Sequence, residues 1–116
     1  MTKPSRAAPD ALPLLTEKVF QGMVQEMAGR FGWTFQYHTF NSQRSEEGFP
    51  DLVLVNQRQA RILYAECKAL KKNRTPKKAS PEQQDWLDAL EYCGAEVRVW
   101  TELDWKEIEE TLRGER

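Results

Sequence analysis

The sequence predicts one α/β domain in which a mixed central β-sheet is flanked by α-helices. Three observations lead there. The chain has 116 residues, enough for a single hydrophobic core and too few for two. Hydrophobic periodicity gives the order helix, three strands, helix, strand, helix. The central strands carry apolar residues on both faces, which helices on both sides of a sheet would cover.

Residues 1–13 contain three prolines and several small residues and read as a flexible lead-in, leaving 14–116 as the domain. From about Leu14 to Phe31, Val19, Phe20, Met23, Val24, Met27 and Phe31 recur at helical spacing, and the helix ends near Gly32. Glu17 lies on the edge of that stripe, where it either reaches solvent at the helix start or turns towards a site. Trp33 to Phe40 sets Trp33, Phe35 and Tyr37 against Thr34, Gln36 and His38, a half-buried strand with the single histidine on its polar side. His38 is a candidate contact to a substrate phosphate or simply an exposed side chain. Asn41 to Glu47 is a polar loop whose Arg44 is a second candidate contact, and Gly48 supplies backbone freedom before the next strand.

Gly48 to Lys68 is the stretch that carries chemistry. Leu52-Val53-Leu54-Val55 and Arg61-Ile62-Leu63-Tyr64-Ala65 read as strands, separated by the polar turn Asn56 to Ala60. A turn centred on Arg58 and Gln59 makes an antiparallel hairpin with Asp51 directly opposite Glu66, their Cβ atoms roughly 5 Å apart. Lys68 shares the Glu66 face and Cys67 points the other way. Two facing carboxylates among apolar neighbours repel, and a bound hard cation such as Mg²⁺ would relieve them, with the ammonium free to orient a water or neutralise a phosphate. The plainer reading leaves Asp51 as a strand cap and Glu66 with Lys68 as a surface pair.

Ala69 to Ala79 has no periodic apolar pattern, is interrupted by Pro76 and reads as a mobile basic loop that orders on DNA through Lys71, Lys72, Arg74, Lys77 and Lys78. Ser80-Pro81-Glu82-Gln83 is a helix start, with Ser80 as N-cap, Pro81 at the first position and Gln83 completing a capping box. That helix runs to about Cys93 before Gly94, with Trp86, Leu87, Leu90 and Cys93 inward and Gln83 able to reach the active face. Glu96 to Thr101 is the fourth strand. Asp104 as N-cap, Glu107 and a Leu103 to Ile108 staple then open a last helix to about Leu112.

The formal net charge of −1 hides a division. Residues 57–80 hold eight basic groups against one acidic, and residues 81–116 hold four against eleven. A basic stretch beside the hairpin suits a polyanionic substrate, and the acidic part suits a solvated or partner-facing surface. Cys67 and Cys93 have no zinc-like spacing and read as small buried thiols of a reducing compartment, with no disulfide. No apolar run reaches membrane-spanning length and no signal-peptide core is present, so a cytoplasmic location is expected.

Gly48-Phe49-Pro50-Asp51, then Glu66-Cys67-Lys68, then Ser80-Pro81-Glu82-Gln83 with Trp86-Leu87 and Gly94, resemble the VRR-NUC (virus-type replication-repair nuclease) branch of the PD-(D/E)xK nucleases, nearest to its stand-alone bacterial and phage members. The resemblance extends from Glu17 to Asp104-Trp105. It implies a restriction-endonuclease-like core and Mg²⁺- or Mn²⁺-dependent cleavage of DNA. It also implies that Asp51, Glu66 and the Cys67 backbone carbonyl bind the metal, with Glu17 as a further acid near it. Lys68 would handle the attacking water and Gln83 would lie beside it. Stand-alone relatives of this type look like homodimers acting on branched DNA such as Holliday junctions or flaps. The basic insertion between Lys68 and Ser80 departs from the pattern. The rival expectations are a catalytically silent DNA-binding module and an interaction subunit of a phage replication or repair complex.

Overall fold

The computed structural model describes residues 13–39 and 46–114. Seven elements follow the predicted order: α1 (Glu17–Arg30), β1 (Phe35–His38), β2 (Leu52–Asn56), β3 (Arg61–Cys67), α2 (Pro81–Tyr92), β4 (Glu96–Trp100) and α3 (Trp105–Arg113). Nearly all of the expected lead-in, and Arg44, lie outside the described residues. The sheet order is β1-β2-β3-β4, antiparallel across the first three strands and parallel between β3 and β4. Parallel neighbours need a crossover, and α2 supplies it.

The β2–β3 hairpin has the register that its pattern predicts, from Leu52↔Ala65 to Asn56↔Arg61. No Asn-Gly pair fixes this turn. The Asn56 side chain does so instead, accepting from Gln59 N at 2.9 Å and donating to Phe31 O at 3.1 Å. Ala60 takes a left-handed φ of 56° to close it. One extra or missing residue here would swap the faces of the whole strand.

Alternate residues of the hairpin, Leu52 and Leu54 with Leu63, Ala65 and Cys67, face one side of the sheet and are fully buried. Phe20, Val24 and Ala28 of α1 and Ile108 and Leu112 of α3 join them in one core with Trp33 and Trp100. Each such large apolar side chain contributes roughly 1.5–3 kcal/mol by leaving water. The polar edge of Trp33 is satisfied as well, its Nε1 donating to Leu112 O at 2.8 Å. On the opposite side Phe49 packs edge-on against Trp86 of α2 and against Tyr64 of β3, with ring centroids 5.0 and 6.3 Å away. Helices thus meet both faces, but the second is only partly covered: Phe35, Ile62 and Val99 remain about half exposed.

Four expectations need correction. In β1 the aromatic residues Phe35 and Tyr37 point outwards, and Gln36 faces α1, donating to Gln25 O and Trp33 O at 3.1 and 3.0 Å. Alternation shows which side chains share a face, not which face the helix takes. Trp33 precedes the strand, its N bonding to Ala28 O where α1 ends. Cys93 caps the end of α2 and is exposed, so only Cys67 is the buried thiol expected of both. Leu103 is 62% exposed, so the staple does not form, and Asp104 accepts from Thr101 N at 2.8 Å instead of capping its own helix.

The fourth correction concerns Ala69–Ala79, which is a small hairpin rather than a structureless loop. Leu70 bridges to Pro76, Lys71 N donates to Thr75 O at 2.8 Å and Lys77 N to Ala69 O at 3.1 Å. Asn73 and a left-handed Arg74 (φ 65°) make its tip. The sequence offers no Gly for that conformation, and the turn is held by Asn73 Oδ1 accepting from Thr75 N and Oγ1.

Candidate active site

The β1–β2 pairing continues one residue past Leu52, with Thr39 N donating to Asp51 O at 2.8 Å and Thr39 Oγ1 to Pro50 O at 2.7 Å. This fixes the backbone of Asp51 at the mouth of the hairpin. One step beyond the Leu52↔Ala65 pair, Asp51 stands opposite Glu66. Its Oδ2 accepts from Cys67 N at 2.8 Å, so the carboxylate is held by the strand that bears its partner. Glu66 is 1% exposed and Lys68 7%.

Gln83 joins these groups to α2. Its Oε1 accepts from Lys68 Nζ at 2.5 Å and from Ser80 N at 2.9 Å, while its Nε2 donates to Glu66 Oε2 at 2.9 Å. Lys68 Nζ lies 3.5 Å from that same Glu66 oxygen. The capping box expected from Ser80 and Gln83 is complete, with Gln83 N donating back to Ser80 Oγ at 3.1 Å. One amide side chain therefore both starts a helix and ties the acid to the base. Lys68 N donates to Trp100 O at 2.8 Å, which fixes the start of the segment after β3 to the end of β4.

The electrostatics are those of an acid pair short of positive charge. Burial raises Glu66 to about 7, the charge of Asp51 adds to the effect, and Lys68 opposes it. Burial likewise raises Asp51 to about 6, against the Cys67 N–H bond that favours its charged form. The Cys67 thiol is pushed up by burial first and then by Asp51 and Glu66, so it stays protonated and inert. Glu66 Oε1 is buried without a hydrogen-bond partner. An orphaned carboxylate oxygen on a residue opposite a second acid, both hard donors, is a fit for a divalent cation.

The other expected residues are distributed around this centre. Glu17 is exposed in the first turn of α1, and its charge helps to raise both acids. It does not complete a ligand cluster: among the described residues, no group of three His, Cys, Asp or Glu side chains is disposed to hold a metal ion. His38 turns towards α1, its Nδ1 3.4 Å from Gln21 Nε2. Lys71, Lys72, Lys77 and Lys78 are exposed on the small hairpin and Arg74 is half-buried there. Two features of the site had little sequence signal. A Cβ on Gly48 would meet the Glu82 carbonyl carbon at 2.5 Å and Gln83 N at 2.8 Å, so the loop before Asp51 presses directly on the start of α2. The Phe49–Trp86 contact braces the same junction, and only the aromatic character of both residues hinted at it.

The family model for the VRR-NUC domain matches residues 16–101. The chain belongs to the VRR-NUC domain family. That match spans α1 to the end of β4 and includes Asp51, Glu66, Lys68 and Gln83. A solved structure described as a VRR_NUC domain protein superposes with a TM-score of 0.62 over 86% of this chain and 92% of its own, at 20% sequence identity. At that identity the likeness concerns the fold, a mixed sheet between helices. A search of curated proteins gives no match. As a VRR-NUC domain the chain is of nuclease type, with DNA as the substrate class. No helix among the described residues is long and apolar enough to cross a membrane.

Proposed function

We propose that this VRR-NUC domain is a Mg²⁺- or Mn²⁺-dependent DNA endonuclease of the PD-(D/E)xK type, with Asp51, Glu66 and Lys68 as its catalytic set. The observation that carries the reading is the buried, unpartnered Oε1 of Glu66, a residue that stands opposite Asp51 and whose other oxygen lies 3.5 Å from Lys68 Nζ. Asp51, Glu66 and the Cys67 backbone carbonyl would hold the cation, and Glu17 adds negative charge at the rim. Bound there, the cation supplies charge neutralisation at the phosphate and makes water a better nucleophile at neutral pH.

The chain's own groups do the rest. Gln83 Oε1 accepts a hydrogen bond from the Lys68 ammonium and so aims that cation along Glu66. The remaining Lys68 protons are placed to orient a water or to donate to a phosphate oxygen as negative charge grows on it. The Phe49–Trp86 contact and the close approach of Gly48 to the start of α2 brace the junction that carries Asp51 and Gln83, and such positioning contributes to rate. Gln83 positions and does not exchange protons, since an amide has none to give at neutral pH.

Branched DNA, a junction or a flap, is the proposed preferred substrate, with a homodimer supplying two cuts in one structure. Support for the homodimer comes from the open sheet face, where Phe35, Tyr37, Ile62 and Val99 are each at least half exposed. A cytoplasmic location fits the free thiols and is part of the same proposal.

The decisive assay incubates labelled linear, flap and four-way-junction DNA with Mg²⁺ or Mn²⁺, beside Glu66→Ala and an EDTA control. Metal-dependent cutting that disappears in the variant is the expected result, with the branched substrates cut fastest. Salt-sensitive binding without any product, at every metal concentration, would replace the proposal with a catalytically silent DNA-binding module.

A further inference from the structure

The hairpin between Lys68 and Ser80 is built like a tool rather than a tether. Both of its stems are fastened to the candidate site. At its entry, Lys68 N is bonded to Trp100 O and Lys68 Nζ to Gln83 Oε1; at its exit, Ser80 N is bonded to that same Gln83 oxygen. Leu70 is 3% exposed and roots the base, and the Leu70–Pro76 bridge and the bond from Lys77 N to Ala69 O close the neck. The tip is fixed by Asn73 Oδ1, which accepts from Thr75 Oγ1 at 2.6 Å and from Thr75 N at 3.2 Å.

What this frame displays is positive charge alone. Lys71, Lys72, Lys77 and Lys78 are exposed, and residues 69–79 include no acid and no aromatic side chain. Proteins that hold single strands stack bases on aromatic rings, and this segment has none to offer. A set of ammonium groups already held in place instead suits the regular phosphates of a duplex, because little ordering entropy is lost on contact.

We infer that the Lys68–Ser80 hairpin is a preordered duplex-binding finger, which holds one double-stranded arm by its phosphates beside Asp51, Glu66 and Lys68. The inference rests on the nuclease reading for the identity of the site it serves. The finger contributes binding that is equal in the ground and transition states, so its loss acts on KM and leaves kcat in place.

The test compares the full chain with a variant carrying Lys71→Gln, Lys72→Gln, Lys77→Gln and Lys78→Gln, and with Asn73→Ala. Binding to a linear duplex and to its isolated single strand is measured with the metal chelated, across a salt series. Neutralising four phosphate contacts should lower the slope of log K against log salt by about 3 to 4 for duplex and raise KM at least about tenfold at moderate salt. Single-strand affinity should change far less, and kcat should stay within about twofold. Asn73→Ala, which removes no charge, should weaken duplex binding several-fold and keep the salt slope. An unchanged slope and KM in the lysine variant, equal losses for duplex and single strand, or a fall in kcat alone would each overturn the finger. Wild-type protein that binds duplex in this lysine-dependent way yet never cleaves would leave the finger standing and remove the nuclease reading instead.

Discussion

Gln83 Nε2 donates to Glu66 Oε2 at 2.9 Å from a side chain whose Oε1 is also the capping acceptor for Ser80 N. Helix initiation and site geometry are thereby one event. Gln83→Ala should lose on both counts: about 1 kcal/mol of stability from the broken capping box, and kcat from an unaimed Lys68. Gln83→Glu separates the two. Glutamate still serves a capping box, but it brings a third carboxylate against Glu66, so this variant should approach wild-type stability at pH 5 and fall clearly below it at pH 8. Urea unfolding at both pH values reads the difference; two equal deficits would show that the cap alone matters.

Gly48 marks the closest approach between the loop before Asp51 and α2. Its φ of +88° lies in the left-handed region, and an added Cβ would meet the Glu82 carbonyl oxygen at 2.6 Å. The obstacle is backbone, which yields only if the start of α2 moves. Gly48→Ala should therefore destabilise by about 1–3 kcal/mol and reduce cleavage further than that loss explains, because the displaced Gln83 releases Lys68. A variant with wild-type unfolding and wild-type cleavage rates would disprove the close packing.

Asp51→Asn tests the strain between the two acids. Both carboxyls have folded-state pKa values above their ordinary ones, Asp51 about 6 and Glu66 about 7. The folded chain then holds protons that the unfolded chain has released, so the stability these groups contribute is complete below about pH 4 and is lost as pH rises through 6 to 7. Asparagine keeps an oxygen for the Cys67 N–H and removes the charge opposing Glu66. With metal chelated, the variant should be more stable than wild type at pH 8, on the order of 1–2 kcal/mol, and nearly equal to it at pH 4.5, while being inactive. Lower stability than wild type at pH 8 would mean that the Asp51 charge is already compensated.

Much of this arrangement can be read from particular residues. Leu52 to Val55 and Arg61 to Ala65 are strand-like runs on either side of a polar turn, and centring that turn on Arg58 and Gln59 sets Asp51 opposite Glu66. The runs are apolar on both faces and do not fix the register by themselves, which the Asn56 side chain does. Ser80-Pro81-Glu82-Gln83 likewise specifies its helix start because capping is local. What the pattern could not give depends on tertiary placement. The period of β1 does not say that α1 lies on the Gln36 side and leaves Tyr37 54% exposed. Lys71 to Lys78 look structureless because the bonds that order them come from backbone and from Asn73, neither of which has a periodic signature. Gln83 was legible as a cap and as a neighbour of the site, but only the three-dimensional packing of Gly48 against Glu82 makes it a junction for both.

The raised acids also predict how a cation should bind. Mn²⁺ takes ionised carboxylates, and between pH 5 and 7 the folded chain must give up protons from Asp51 and Glu66 to provide them. Affinity should rise with pH, by up to about tenfold per unit for each proton released, and level off once pH passes about 7. Calorimetric titration of Mn²⁺ in two buffers of different ionisation heat counts those protons directly. At pH 6 the count should exceed zero, and at pH 8 it should approach zero. Glu66→Gln removes one releasable proton and one hard ligand together, so it should bind weakly and with a shallower pH dependence, that of the Asp51 proton alone. Binding of wild type that is independent of pH from 5.5 to 8 would place the cation elsewhere, because no ion can enter between two protonated acids without displacing their protons.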